Sequence, residues 1–132
     1  MRISSLATRL APFAILLAAP LAGCSSKASD CATFAKTANE NVAELKKADP
    51  KDNKQLHAAV KKVADSAKRI QVKDEGLAAM VKEYAAVWER GATASANLES
   101  TNEATASKAI ADIDAVEKEE SAIVDKINAY CK

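Results

Sequence analysis

Apolar residues recur three and four places apart through most of residues 30–130, the spacing that lines one face of an α-helix. No segment there shows the alternation of a half-buried strand, and the scarce turn signals divide the pattern into four runs. The first, over residues 30–48, sets Cys31, Ala35, Ala38, Val42 and Leu45 on one seam. Asp49 and Pro50 end it and start the second, Asp49 as N-cap and Pro50 at the first helical position. The second aligns Leu56, Val60, Val63, Ala67 and Ile70, with Lys68 and Arg69 in its last turn to meet the negative end of the helix dipole. Beyond a break at 72–74, the third aligns Leu77, Val81, Tyr84, Trp88, Gly91, Ser95 and Leu98. Ser100-Thr101-Asn102-Glu103 reads as a capping box, and a fourth helix running to about residue 130 turns Ile110, Ile113, Val116, Ile123, Val124 and Ile127 inward. Short connections make neighbouring helices antiparallel. The expected fold class is therefore all-α, an antiparallel up-down-up-down four-helix bundle.

A different pattern precedes these helices. Arg2 and Arg9 form a basic start, residues 10–21 an apolar stretch, and small residues follow, which are the three parts of a secretory signal. Containing Pro12 and Pro20, the stretch falls short of the ~20 residues that span a bilayer. The residues Leu21-Ala22-Gly23-Cys24 that close it resemble the lipobox of bacterial lipoproteins. That resemblance covers the leader alone, and the helical remainder resembles many small helical lipoproteins of unknown role. It implies cleavage before Cys24, a diacylglycerol on the Cys24 sulfur and usually a third acyl chain on its amine. Two or more chains anchor stably where one holds marginally. The lipoprotein sorting rule, which reads the residue after the cysteine, finds Ser25 rather than aspartate; this favours the outer membrane, facing the periplasm. Residues 1–23 are then a removed signal peptide, 24–29 a lipid anchor with a short tether, and 30–132 the bundle.

Of the three cysteines, lipidation of Cys24 leaves Cys31 and Cys131 in a compartment that permits oxidation. One intramolecular disulfide is possible; two free thiols or an intermolecular bond are the alternatives. Closing a loop of about 100 residues stabilises by up to ~4.7 kcal/mol in the chain-entropy account. The bond also requires an even number of helices, since only then do the first helix's start and the last helix's end share one end of the bundle. A tether over residues 25–30 reaches about 20 Å at ~3.5 Å per residue, which keeps the disulfide end near the bilayer.

Loss of Arg2 and Arg9 leaves 17 Lys+Arg against 18 Asp+Glu in the mature chain, so nothing in its charge suggests nucleic acid. The charge is unevenly spread. Residues 46–73 hold nine basic and three acidic side chains, and residues 74–125 four basic and twelve acidic. A basic second helix would suit lipid headgroups, glycan phosphates or an acidic partner, and an acidic fourth helix a weak cation surface; solvated faces paired with neighbouring helices account for the same pattern. By length the third and fourth helices overhang the first two, and the small residues of 91–108 predict an exposed tip, a partner-facing surface or a frayed hairpin.

Glu120 falls on the inward stripe of the fourth helix, level with Asn41 or Val42 and with Tyr84. A buried carboxylate without partners is costly, so a polar layer of Asn41, Tyr84 and Glu120 is expected, with Glu120 bonded to Asn41 or to the Tyr84 hydroxyl. The single His57 has no ligand-spaced companions and reads as a surface residue. No Cys-x-x-Cys, haem attachment, phosphate-cradling glycine loop or nucleophile elbow occurs. No catalytic residue, metal or cofactor is expected. The functional expectation is a membrane-anchored, monomeric envelope lipoprotein that acts structurally or by binding an envelope protein. The alternative is a bundle that binds a small molecule or lipid beside Tyr84 and Trp88.

Overall fold

The computed structural model describes residues 26–132, which form four α-helices, with no strand among the described residues. They are α1 (Ser26–Lys46), α2 (Asn53–Lys68), α3 (Glu75–Ala96) and α4 (Glu103–Cys131). The leader and Cys24 lie outside the described residues. No described helix is long and apolar enough to cross a membrane.

α1 begins at Ser26, so residues 26–29, expected as an extended tether, are helical. Two interactions hold this first turn. Lys27 Nζ lies 4.4 Å from the centre of the Tyr130 ring, a cation–π contact, and the Asp30 carboxylate one turn on is buried against the α2–α3 connection. The α1 seam is also rotated from the expected one. Phe34 and Asn41 are buried beside Cys31, Ala35, Ala38 and Leu45, while Val42 is only half-buried.

Caps set the other helix starts. The α2 cap is Asp52, whose Oδ1 accepts from the backbone N–H of Lys54 and Gln55 at 3.0 and 3.1 Å, while Gln55 Nε2 donates to its Oδ2 at 2.9 Å. Asp49, the expected cap, closes the preceding turn instead by accepting from the Lys51 N–H at 2.9 Å. The Asp52–Gln55 pair satisfies more of the donors that a helix start leaves open, so α2 begins at Asn53 and not at Pro50. α3 is capped by Asp74, which accepts from the Leu77 N–H at 2.8 Å. At α4 the cap is Asn102, not Ser100: Asn102 Oδ1 accepts from the Thr105 N–H at 3.1 Å, and Ser100 Oγ accepts from the Asn102 N–H.

α3 is the central element, packed lengthwise against α2 and against α4. α1 packs mainly on α2 and touches α3 and α4 at few points, and α2 barely touches α4. Gly91 marks the crossing: a Cβ there would stand 3.2 Å from Val116 Cγ1 on α4 and 3.6 Å from Val60 Cγ1 on α2. Tyr84, Phe34, Leu77, Ile127, Val63 and Val87 are the largest fully buried side chains.

Ile110, expected inward, is 41% exposed, and Ala109 takes the buried position beside it. The small α3 residues Gly91 and Ala94 let α4 come close, which suits a methyl side chain there and turns the bulkier Ile110 outward. For the same reason, residues 91–97 are not an exposed tip as expected. Gly91, Ala94 and Ser95 are buried, and continuous exposure is confined to residues 101–105.

Cys31 and Cys131 form a disulfide, with Cα atoms 5.9 Å apart and 100 residues between them in sequence. It joins α1 to the last residue of α4 and completes a helical bundle.

Candidate functional site

The layer around Tyr84 is the most distinctive place in the molecule. Helical spacing brings Tyr84 and Trp88 of α3 onto one face, where Phe34 of α1 meets them. The Phe34 and Tyr84 rings are edge-to-face at 5.1 Å between centres, and Tyr84 and Trp88 likewise at 6.3 Å. Asn41, also buried, donates from Nδ2 to the Tyr84 hydroxyl at 3.4 Å. Burial pushes the Tyr84 phenol up to about 12; the Asn41 hydrogen bond opposes the rise, and the nearby charge of Glu120 adds to it. The Trp88 indole N–H also opposes it slightly, although it is buried without a well-formed hydrogen-bond partner.

Glu120 enters the layer from α4, between the buried Val116 and Ile123. It is half-buried, and the expected hydrogen bond to Asn41 or Tyr84 is not made among the described residues. The Asn41 amide is committed to Tyr84, and Glu120 reaches that pair only through its charge, which Tyr84 feels. Its carboxyl is pushed up to about 7, first by burial and then by the like charges of Glu117 and Asp125.

A second cluster surrounds the disulfide. Asp30 Oδ2 accepts from the backbone N–H groups of Lys73 and Asp74, at 2.6 and 2.7 Å, and so fastens α1 to the α2–α3 connection. The Tyr130 hydroxyl donates to Asp74 Oδ1 at 2.7 Å. This raises the Tyr130 pKa, while Asp74 is lowered, first by its cap bond from Leu77 and then by Tyr130. Gly76 makes the contact possible: a Cβ there would stand 2.8 Å from Tyr130 Cζ and collide with the hydroxyl. The sequence reading missed this cluster. Its one legible signal was Asp74 before the α3 run, since the partners Asp30 and Tyr130 are 43 or more residues away.

The remaining surface is partly neutralised across helices. Lys62 of α2 pairs with Glu44 of α1 at 2.7 Å, Lys68 of α2 with Glu89 of α3 at 2.7 Å, and Arg90 of α3 with Glu119 of α4. Glu44 is lowered first by Lys62 and then by Lys47, and Glu119 first by Arg90. An open groove of about 430 Å³ runs between α3 and α4, with an apolar floor that includes Ala94, Ala109 and Val116. Its two cations, Arg90 and Lys108, are already paired, with Glu119 and Asp112. His57 is not a free surface residue. Half-buried, it places Nδ1 2.8 Å from Ser95 Oγ on α3, and that hydroxyl donates to the Ala92 carbonyl. Among the described residues no group of three or more His, Cys, Asp and Glu is placed to hold a metal ion.

The structure thus brings Cys31 to Cys131 and Asn41 to Tyr84, leaves Glu120 unbonded to either of the latter, and does not describe Cys24. No protein-family model, curated protein or solved structure matches this chain.

Proposed function

We propose that this chain is a lipid-anchored envelope lipoprotein whose helical domain has a non-catalytic structural or protein-interaction role. The observation that carries the reading is the pairing of cysteines. Cys31 and Cys131 are bonded to one another, which suits an exported, oxidising setting and leaves Cys24, within the lipobox-like Leu21-Ala22-Gly23-Cys24, as the cysteine available for lipid. Ser25 favours the outer membrane, facing the periplasm. Since α1 starts at Ser26, a lipid on Cys24 would sit two residues from a rigid helix, holding the disulfide end against the headgroups.

The topology that fits is the antiparallel up-down-up-down order. Cross-helix pairs support it: Asp30 with Asp74, Asn41 with Tyr84, His57 with Ser95, and Gly76 with Tyr130 follow the register such an order requires. The partner is the membrane through Cys24, with an envelope protein on the exposed helix faces; the domain itself is a monomer. Binding of a small molecule or lipid beside Tyr84 and Trp88 ranks second, because both rings are buried and interlocked with Phe34.

Capture from crosslinked cell envelopes, comparing the natural protein with Cys24→Ala, tests the interaction role. Specific protein partners recovered with the natural chain and lost with the variant are the expected result. Recovery of bulk lipid alone from both would count against it.

A further inference from the structure

The disulfide end of the bundle differs from the rest of the surface in how its charges are used. Contacts gather the start of α1, the α2–α3 connection and the end of α4 there: Cys31 with Cys131, Asp30 with the Lys73 and Asp74 N–H groups, and Tyr130 with Asp74. The acids of this end are spent inside the fold. Asp30 is buried on backbone donors, and Asp74 caps α3 and accepts from Tyr130, which leaves Glu75, in the first turn of α3, as the exposed acid there. The cations remain in water. Arg69, Lys73 and Lys132 are exposed and form no ion pair among the described residues, and the half-buried Lys27 rests on the Tyr130 ring. Elsewhere the charges balance. Along the helices Lys62, Lys68 and Arg90 are paired with Glu44, Glu89 and Glu119, and at the opposite end Lys51 and Lys54 share the surface with the exposed Glu99 and Glu103.

We infer that the disulfide end is a docking face for anionic phospholipid, where Lys27, Arg69, Lys73 and Lys132 meet headgroup phosphates and hold the bundle upright on the bilayer. The inference rests on the proposed lipid at Cys24, because α1 starts two residues beyond that cysteine and carries this end to the surface. Charge complementarity selects the occupant. Ile70 and Val72, the large apolar side chains of the α2–α3 connection, are half-buried and packed on the core, so the contact offered is electrostatic and not an inserted apolar wedge. Lysine and arginine suit it, since their flexible stems carry the charge out to a phosphate. Each such cation close to an anionic surface strengthens binding about fivefold, and salt screens the effect.

The test uses the exported, disulfide-bonded protein, inserted into preformed vesicles of phosphatidylcholine alone or mixed with phosphatidylglycerol. A membrane-impermeant amine-acylating reagent then reads each lysine by mass. With phosphatidylglycerol present, labelling of Lys27, Lys73 and Lys132 should slow roughly tenfold, while that of Lys51 and Lys54 at the opposite end stays unchanged. About 1 M salt should restore the rates, with the protein still held on the vesicle by its lipid. Arg69→Gln combined with Lys73→Gln should weaken docking roughly twenty-five-fold and release Lys27 and Lys132 to the reagent. Both replaced side chains are exposed, so circular dichroism should report the helix content of the natural chain. Rates equal in the two kinds of vesicle, slowing shared by Lys51 and Lys54, or protection unchanged in the double variant would each overturn the docking face. The mass of the same protein reports the lipid on Cys24 separately. Without that lipid the anchor fails, and the face then stands or falls on whether the protein still sediments with phosphatidylglycerol vesicles and shields the same lysines.

Discussion

Gly91 shows how much a single position decides here. In mid-helix a glycine costs about 1 kcal/mol relative to alanine, yet this one sits where α3 touches both neighbours. Gly91→Ala should leave the thermal midpoint nearly unchanged, because the gain in helix propensity is offset by a Cβ 3.2 Å from Val116 Cγ1. Gly91→Leu has no such compensation and should destabilise by about 1–3 kcal/mol or more, measured by denaturant unfolding. An equal midpoint for all three would show that the helices separate freely at this level. Asn41 illustrates the limit of reading residues from sequence. Periodicity puts Val42 on the seam, and the structure buries Asn41 there instead, bonded to the Tyr84 hydroxyl. Glu120's inward position followed from helical spacing alone, whereas its missing hydrogen bond depends on how far α1 stands from α4.

The four helices were legible because their apolar spacing is strong and glycine and proline are scarce; their starts were less so. Asp49-Pro50 and Ser100 each carry a good local start signal, and each lost to a polar residue a few positions on. Asp52 prevails because Gln55 returns a bond to it, and Asn102 because Ser100 supports its backbone. It follows that Asp52→Ala should lower the thermal midpoint more than Asp49→Ala does. A larger loss from Asp49→Ala, followed by circular dichroism, would place the working cap at Asp49. Ile110 marks a different limit. Periodicity runs the stripe of α4 through large side chains, but the small face of α3 makes Ala109 the better fit. The start of α1 at Ser26 depended on Asp30 and Lys27 reaching partners distant in sequence, which no local pattern reveals.

At the scale of the whole molecule the disulfide and the proposed anchor belong together. α1 rests chiefly on α2, so the bond closing a 100-residue loop does much to keep it in the bundle. Reduction, or a paired Cys31→Ala and Cys131→Ala replacement, should cost up to about 4.7 kcal/mol, read as a lower denaturant midpoint; an unchanged midpoint would mean that side-chain packing alone retains α1. The end that bond closes carries Lys27, Tyr130, Asp74 and Asp30 in a chain of contacts, three residues from Cys24 at its nearest. Under the proposed lipid on Cys24, the domain would stand on the membrane by this end and present α4's first turns and Ile110 outward. Metabolic labelling with an acyl-chain probe tests that arrangement at its root. The natural chain should take the label and Cys24→Ala should not; a variant that still takes it, or a natural chain that takes none, would contradict the lipid-anchored account.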